Sequence, residues 1–322
     1  MRLLKWFFSI CFAVFFLINC TDKNKLDVDT SKIPVALDLS RFDAIFFNTK
    51  PQELPKVKKK FSFLFPANVP DSIWLAKIKN PDSRYLFKEV QKVFPNFNKE
   101  SQELSQLFKH VKYYFPKFKA PKIVTLVSDI DYNNKVIYAD SLLLISLDMY
   151  LGKNHQVYQN FPKYIKNSYT KEQLKVDVAR QIALISLPKN KLRTFISRCI
   201  QQGKLLYTIK AFIPNLKDST LMNYPTNKML WATNNQEFVW RYFVENNLLF
   251  NTDRNISKRF LDDAPFSKFY LANDKDSPGR IGAFIGYKIV DAYLKNNDKN
   301  LIEMLRTPND LLYKQSKYKP KN

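Results

Sequence analysis

Asp129-Ile130-Asp131-Tyr132-Asn133-Asn134-Lys135-Val136 runs on to Asp140 and sets oxygen-bearing side chains at positions 1, 3, 5 and 12 of a calcium-loop spacing. Hard cations are held by such carboxylate and amide oxygens, so Asp129, Asp131, Asn133 and Asp140 are candidate calcium ligands. The same string also reads as a hairpin, with Asn133-Asn134 supplying the positive φ values of a type I′ turn. Position 6 is Asn134 where such loops carry Gly, and position 12 is an Asp in place of a bidentate Glu. A second group lies in Ser277-Pro278-Gly279-Arg280-Ile281-Gly282-Ala283-Phe284-Ile285-Gly286. Ser277 suits a helix N-cap and Pro278 a first helical residue. Ser277, Gly279 and Arg280 are therefore a candidate anion site at a helix N-terminus. The competing reading is close helix packing along the smooth ridge of Gly282 and Gly286. His110 and His155 are the only histidines, which excludes a three-histidine zinc site and any HExxH pair. The five glycines form no phosphate-cradling or dinucleotide-binding string, and no cofactor is implied. Cys199 sits on a helical pattern where a buried, inert thiol is expected.

The elements that must position these residues are mostly helical. A short strand over 33–39 is followed by a helix starting at Arg41-Phe42-Asp43, and Pro66, Pro70, Pro81 and Pro95 divide the next stretch into short helices. Leu104, Leu107, Phe108, Val111 and Phe115 recur three and four residues apart, one face of a helix over 103–115. The pattern changes at Pro121, beyond which 122–127, 136–139 and 142–147 have strand composition and length. They predict a small antiparallel sheet with tight turns. Helical spacing then predicts helices over 170–187, 191–212, 236–246 and 278–294. The fold class expected is α+β, a predominantly helical single domain over residues 34–322.

Of the 322 residues, 45% are hydrophobic and 15% aromatic, far too many for a disordered chain. A formal charge of +23 raises nucleic acid as a partner. The basic residues are scattered, however, with Lys56, Lys58, Lys59 and Lys60 the densest run, and they follow a leader, so no nucleic-acid partner is expected. They predict a solvated basic surface, or alternatively attraction to anionic headgroups or acidic partners at a membrane. In the leader, Arg2 and Lys5 precede an apolar run over 6–18 that is short for a membrane span, which predicts a signal peptide over 1–19. Leu17-Ile18-Asn19-Cys20 resembles a bacterial lipobox, although Asn19 stands where a small residue is usual. The resemblance implies lipidation of Cys20, with palmitate-type chains, and a membrane-anchored protein of the cell envelope that faces the periplasm from one of its membranes. Residues 20–33 would be its flexible tether.

Cys20 in that setting, Arg41-Phe42-Asp43, Tyr113-Tyr114-Phe115-Pro116-Lys117-Phe118, the block from Asp129 to His155, Ser277 to Ile289, and Ser316-Lys317-Tyr318-Lys319-Pro320-Lys321 together resemble the gliding-motility-associated lipoprotein family GldB of Bacteroidota. The resemblance covers essentially the whole chain after the leader. It implies a role in gliding over surfaces and in the associated secretion apparatus, with other envelope proteins as partners, and it supplies no catalytic residue. A more distant likeness is to gluzincin-type lipoprotein proteases. Their first metal-binding His falls on Asp177, their catalytic Glu on Val178, their second His on Gln181 and a later Glu on Gln202, so the metal motif is lost.

These resemblances imply a non-catalytic, lipid-anchored structural or interaction component on a degenerate zincin-like scaffold, a pseudoenzyme. The alternatives are an envelope hydrolase using convergent carboxylates and a glycan-binding lipoprotein. In a protease-like scaffold, an exposed edge strand can receive an extended partner segment by strand addition. Residues 142–147 are the candidate edge, and Asp140, Ser146, Asp148 and Tyr150 the candidate partner groove. The competing reading is a strand paired on both sides.

Overall fold

Asp43 carries a carboxylate with no exposed side-chain surface, so its partners decide how the N-terminal third assembles. It pairs with Arg41 at 2.7 Å and accepts hydrogen bonds from Gln91 Nε2 at 3.0 Å and from Thr125 Oγ1. Arg41 also donates to the carbonyl of Phe94 at 3.1 Å. A buried charge costs several kcal/mol unless it is paired and hydrogen-bonded. The Arg41-Phe42-Asp43 string is thus a structural node that joins the first helix to the sheet and to the helix carrying Gln91.

The computed structural model describes residues 26–139, 141–189 and 191–320. The expected signal peptide, Cys20 and Asp140 lie outside the described residues. Strand β1 (Asp38–Arg41) leads into α1 (Phe42–Phe47), α2 (Leu54–Lys60), α3 (Asp71–Lys79), α4 (Pro81–Val93) and α5 (Asn98–Tyr114). Strands β2 (Lys122–Leu126), β3 (Val136–Ala139) and β4 (Leu142–Ser146) follow. The rest is helical: α6 (Lys163–Lys166), α7 (Lys171–Ser186), α8 (Phe195–Phe212), α9 (Asp218–Met222), α10 (Thr226–Asn234), α11 (Gln236–Glu245), α12 (Asn255–Phe260), α13 (Ile281–Asn296), α14 (Leu301–Arg306) and α15 (Asn309–Ser316). One continuous core runs from Leu26 to Leu312, giving a single α+β domain. Leu26 and Thr30 are buried, so this end of the segment expected as a tether lies against the domain.

The sheet departs from the antiparallel expectation. Its order is β1-β2-β4-β3, with β1 and β4 both parallel to β2 and only β3 antiparallel to β4. The chain leaving β2 crosses to the far edge before returning, and the hairpin closes where Ala139 is registered against Leu142. The tight turn is therefore not at Asn133-Asn134. In the connection from β2 to β3, Asp129 (φ 57°) and Ile130 (φ 63°) adopt the left-handed conformation. A β-branched residue there costs about 1–3 kcal/mol and persists only where its surroundings hold it. Asp148 does so, accepting the backbone N–H groups of Ser128 (3.0 Å) and Ile130 (2.8 Å).

Strand β4 is not an edge either, because it is hydrogen-bonded to β2 on one side and β3 on the other. The C-terminal helices pack around α8 and α13, which approach so closely that a side chain on Gly203 would collide with the backbone of Gly286, and one on Gly286 with the carbonyl of Cys199. The glycine ridge is a packing device, as the competing reading held. Cys199 lies beneath it, buried, with its thiol pushed far up by desolvation, and is inert.

Candidate functional site

On α7, Leu174, Val176, Val178, Ala179, Ile182 and Ala183 serve the core. Gln173, Asp177, Arg180 and Gln181 recur at helical spacing and form a polar stripe along one side of that apolar helix. The stripe lines a cleft of about 730 Å³. Gln202 enters from α8, Lys135 from the crossing loop, Arg280 from the residue before α13, and Asp263 from the loop after α12. Asp177, Gln181 and Gln202 are therefore brought together from two helices.

Asp177 is already engaged. Its Oδ2 is 2.5 Å from Lys135 Nζ and accepts a hydrogen bond from Tyr150 OH at 2.9 Å. Burial, and then the Asp177 charge, push the Tyr150 hydroxyl well above its ordinary range, so it serves as a donor. Val178, at the position corresponding to a catalytic Glu, is fully buried in the core. The side chains of Gln181 and Gln202 end in amides, whereas zinc is held by imidazole, thiolate or carboxylate. This set does not fit a zinc ion. Among the described residues, no group of three or more His, Cys, Asp or Glu is arranged to hold a metal.

Arg180 differs from Asp177 in having no committed partner. Its guanidinium makes no hydrogen bond or ion pair with any described residue, and desolvation followed by repulsion from Arg280 brings it down to about 10, which leaves it cationic at neutral pH. Arg280 has the left-handed backbone conformation (φ 59°) and only a loose contact, 3.5 Å, with Asp263, whose side chain is 78% exposed. The cleft thus presents two guanidinium groups with donor capacity to spare, among the amides of Gln181, Gln202 and Asn223.

The expected helix N-terminal anion site is corrected. The helix begins at Ile281, and its cap comes from outside: Ser267 Oγ accepts the Ile281 N–H at 3.2 Å and donates to the carbonyl of Pro278 at 2.8 Å. Ser277 is fully buried against Ser267 and Asp274, and Gly279 is pressed onto the backbone of Ala264. Of that trio, Gly279 and Arg280 line a cleft and Ser277 lines none. The candidate partner groove is corrected too, since Ser146, Asp148 and Tyr150 are all buried. Of the candidate calcium ligands, Asp129 accepts from Lys77 (2.6 Å) and Ser83 (2.9 Å), and Asp131 accepts from the Asn133 N–H and the Asn134 amide. His110 and His155 lie outside the cleft, His155 beside Glu89 at 3.1 Å.

Sequence reasoning missed Arg180, Lys135, Asp263 and Asn223. For Arg180 the readable signal was the polar stripe on an apolar helix. Lys135 and Asn223 carried no such signal, because loops bring them in.

A second cleft, of about 620 Å³, adjoins the first, and Tyr164, Asn223, Asp263 and Arg280 line both. Its remaining wall is largely apolar and includes Pro162, Met222, Pro225, Ala264 and Pro265. Compared with protein families, the chain from residue 23 to residue 320 matches the model described as gliding motility protein GldB. No curated protein and no solved structure matches it, so the gluzincin likeness gains no support.

Proposed function

Because the chain belongs to the GldB family of gliding motility proteins, we propose that it is a lipid-anchored, non-catalytic interaction component of the gliding machinery and its associated secretion apparatus. The observation that carries this reading is the state of Asp177. One of its carboxylate oxygens, Oδ2, takes both Lys135 and Tyr150 and so braces the cleft, and the next residue, where a protease would carry its catalytic Glu, is the core Val178, which supplies no general base. Attachment through lipid on Cys20 at the periplasmic side of an envelope membrane accords with two further observations. No helix among the described residues is long and apolar enough to cross a membrane, and the body carries many basic residues that anionic headgroups attract.

The purified protein should cleave neither casein nor cell-wall polymer, as read by release of soluble fragments. Cleavage that is lost in Asp177→Asn at an unchanged melting temperature would overturn the non-catalytic reading. Cys20→Ala should abolish incorporation of labelled palmitate and release the protein from membranes. Undiminished labelling would remove the anchor.

A further inference from the structure

The two adjoining clefts differ in chemistry in a way that specifies a ligand. One holds the uncommitted Arg180 and loosely held Arg280 among primary amides, and the other is walled by prolines and aliphatic side chains. Asn223 and Arg280 stand at the join, Asn223 itself in the left-handed conformation (φ 57°) at the end of α9. A guanidinium pair binds carboxylate with charge-assisted, geometrically specific hydrogen bonds. Amide side chains offer both donors and acceptors and so can pair with the peptide groups of an extended chain. An apolar cleft beside them takes an aliphatic side chain. A polysaccharide would instead be expected to use a platform of several flat aromatic rings; of the cleft-lining aromatics Tyr132, Tyr164, Tyr169 and Tyr224, the last two are buried, and none of Trp74, Trp231 and Trp240 lines either cleft.

We infer that the paired clefts form a binding groove for an extended peptide segment of a partner protein, with an acidic side chain seated between Arg180 and Arg280 and a neighbouring aliphatic side chain in the Met222–Pro225–Pro265 cleft. This rests on the interaction role proposed above and names its ligand class. Asp263 closes loosely over Arg280 when the groove is empty and is displaced toward solvent by the incoming carboxylate. Recognition needs no catalytic group.

The test uses the full-length protein in detergent micelles, immobilised and exposed to a randomised library of end-blocked octapeptides, with sequencing of the retained pool. The expected result is enrichment of Asp or Glu next to Leu, Ile, Val or Met. Arg180→Gln should abolish that enrichment and weaken binding of a selected peptide at least about tenfold, the cost of one charge-assisted contact. Arg180→Lys, which keeps the charge, should retain part of the binding and guards against misfolding of the first variant. A pool without acidic enrichment, or one unchanged by Arg180→Gln at an unchanged melting temperature, overturns the groove. Retention of oligogalacturonate in an Arg180-dependent way, with no peptide retained, replaces the peptide by an acidic glycan. Mass analysis of the bound peptides separates the two readings: cleaved peptides refute the non-catalytic role and leave the groove standing, whereas intact chains with no acidic preference do the reverse.

Discussion

Lys204 is fully buried in α8, and its ammonium has no carboxylate partner among the described residues. It donates to the carbonyls of Leu305 (3.1 Å) and Thr307 (2.5 Å), capping α14 from within the core. Desolvation lowers it from 10.5 to about 8. Below that value Lys204 is protonated in both the folded and the unfolded chain, and burying the charge costs about 3 kcal/mol. As pH rises from about 8 toward 10.5, the folded protein releases the proton while the unfolded chain keeps it, so this group's contribution to stability rises. By linkage the gain is about 2 kcal/mol between about pH 7 and pH 9.5. Buried tyrosines and Cys199 act in the opposite direction at alkaline pH, because their hydroxyls and thiol are pushed up on folding. The assay is therefore a difference: urea unfolding of wild type and Lys204→Met across that pH range. Methionine removes the charge but orphans two carbonyls, so near pH 7 the two effects offset. At about pH 9.5 the variant should be less stable relative to wild type by about 2 kcal/mol more than at pH 7. Parallel profiles, within about 0.5 kcal/mol, would show that the lysine is not a desolvated cation and would refute the reasoning.

Gly286→Ala should destabilise the protein by about 3 kcal/mol or more, since the new methyl lands on the Cys199 carbonyl and can be relieved only by parting two helices. Gly282→Ala, which meets the Leu261 side chain and the Phe260 carbonyl at 3.0 Å against 1.8 Å for Gly286→Ala, should cost less, and thermal melts of the two variants check the order. Asp148→Ala removes the acceptor for Ser128 and Ile130 and should cost about 3 kcal/mol, with limited proteolysis cutting first within 127–135. Tyr150→Phe deletes one hydrogen bond to Asp177 and should cost about 1 kcal/mol by chemical denaturation, leaving the Lys135 pair in place.

Periodicity along the chain determined most of the elements. The helices at Lys171–Ser186, Phe195–Phe212, Gln236–Glu245 and Ile281–Asn296 and the strands at Lys122–Leu126, Val136–Ala139 and Leu142–Ser146 lie within a few residues of where the apolar spacing puts them. That spacing is local, and burial of one face is enough to specify it. Strand order is not local. A β2–β3–β4 series of short aliphatic runs reads equally well as a meander, and only the packing of β4 between β2 and β3 made β4 central and moved the tight turn from Asn133-Asn134 to the stretch after Ala139. The Ser277 cap failed for the same reason, because the acceptor at the helix start is Ser267, held there by a folded loop. Asp177, Gln181 and Gln202 are named from the likeness to gluzincin-type proteases, and they meet at one cleft because α7 and α8, on which they sit, pack side by side. Their meaning came from Lys135, Arg180 and Arg280, whose charges converge only when a crossing loop, a helix stripe and a left-handed residue meet at one cleft.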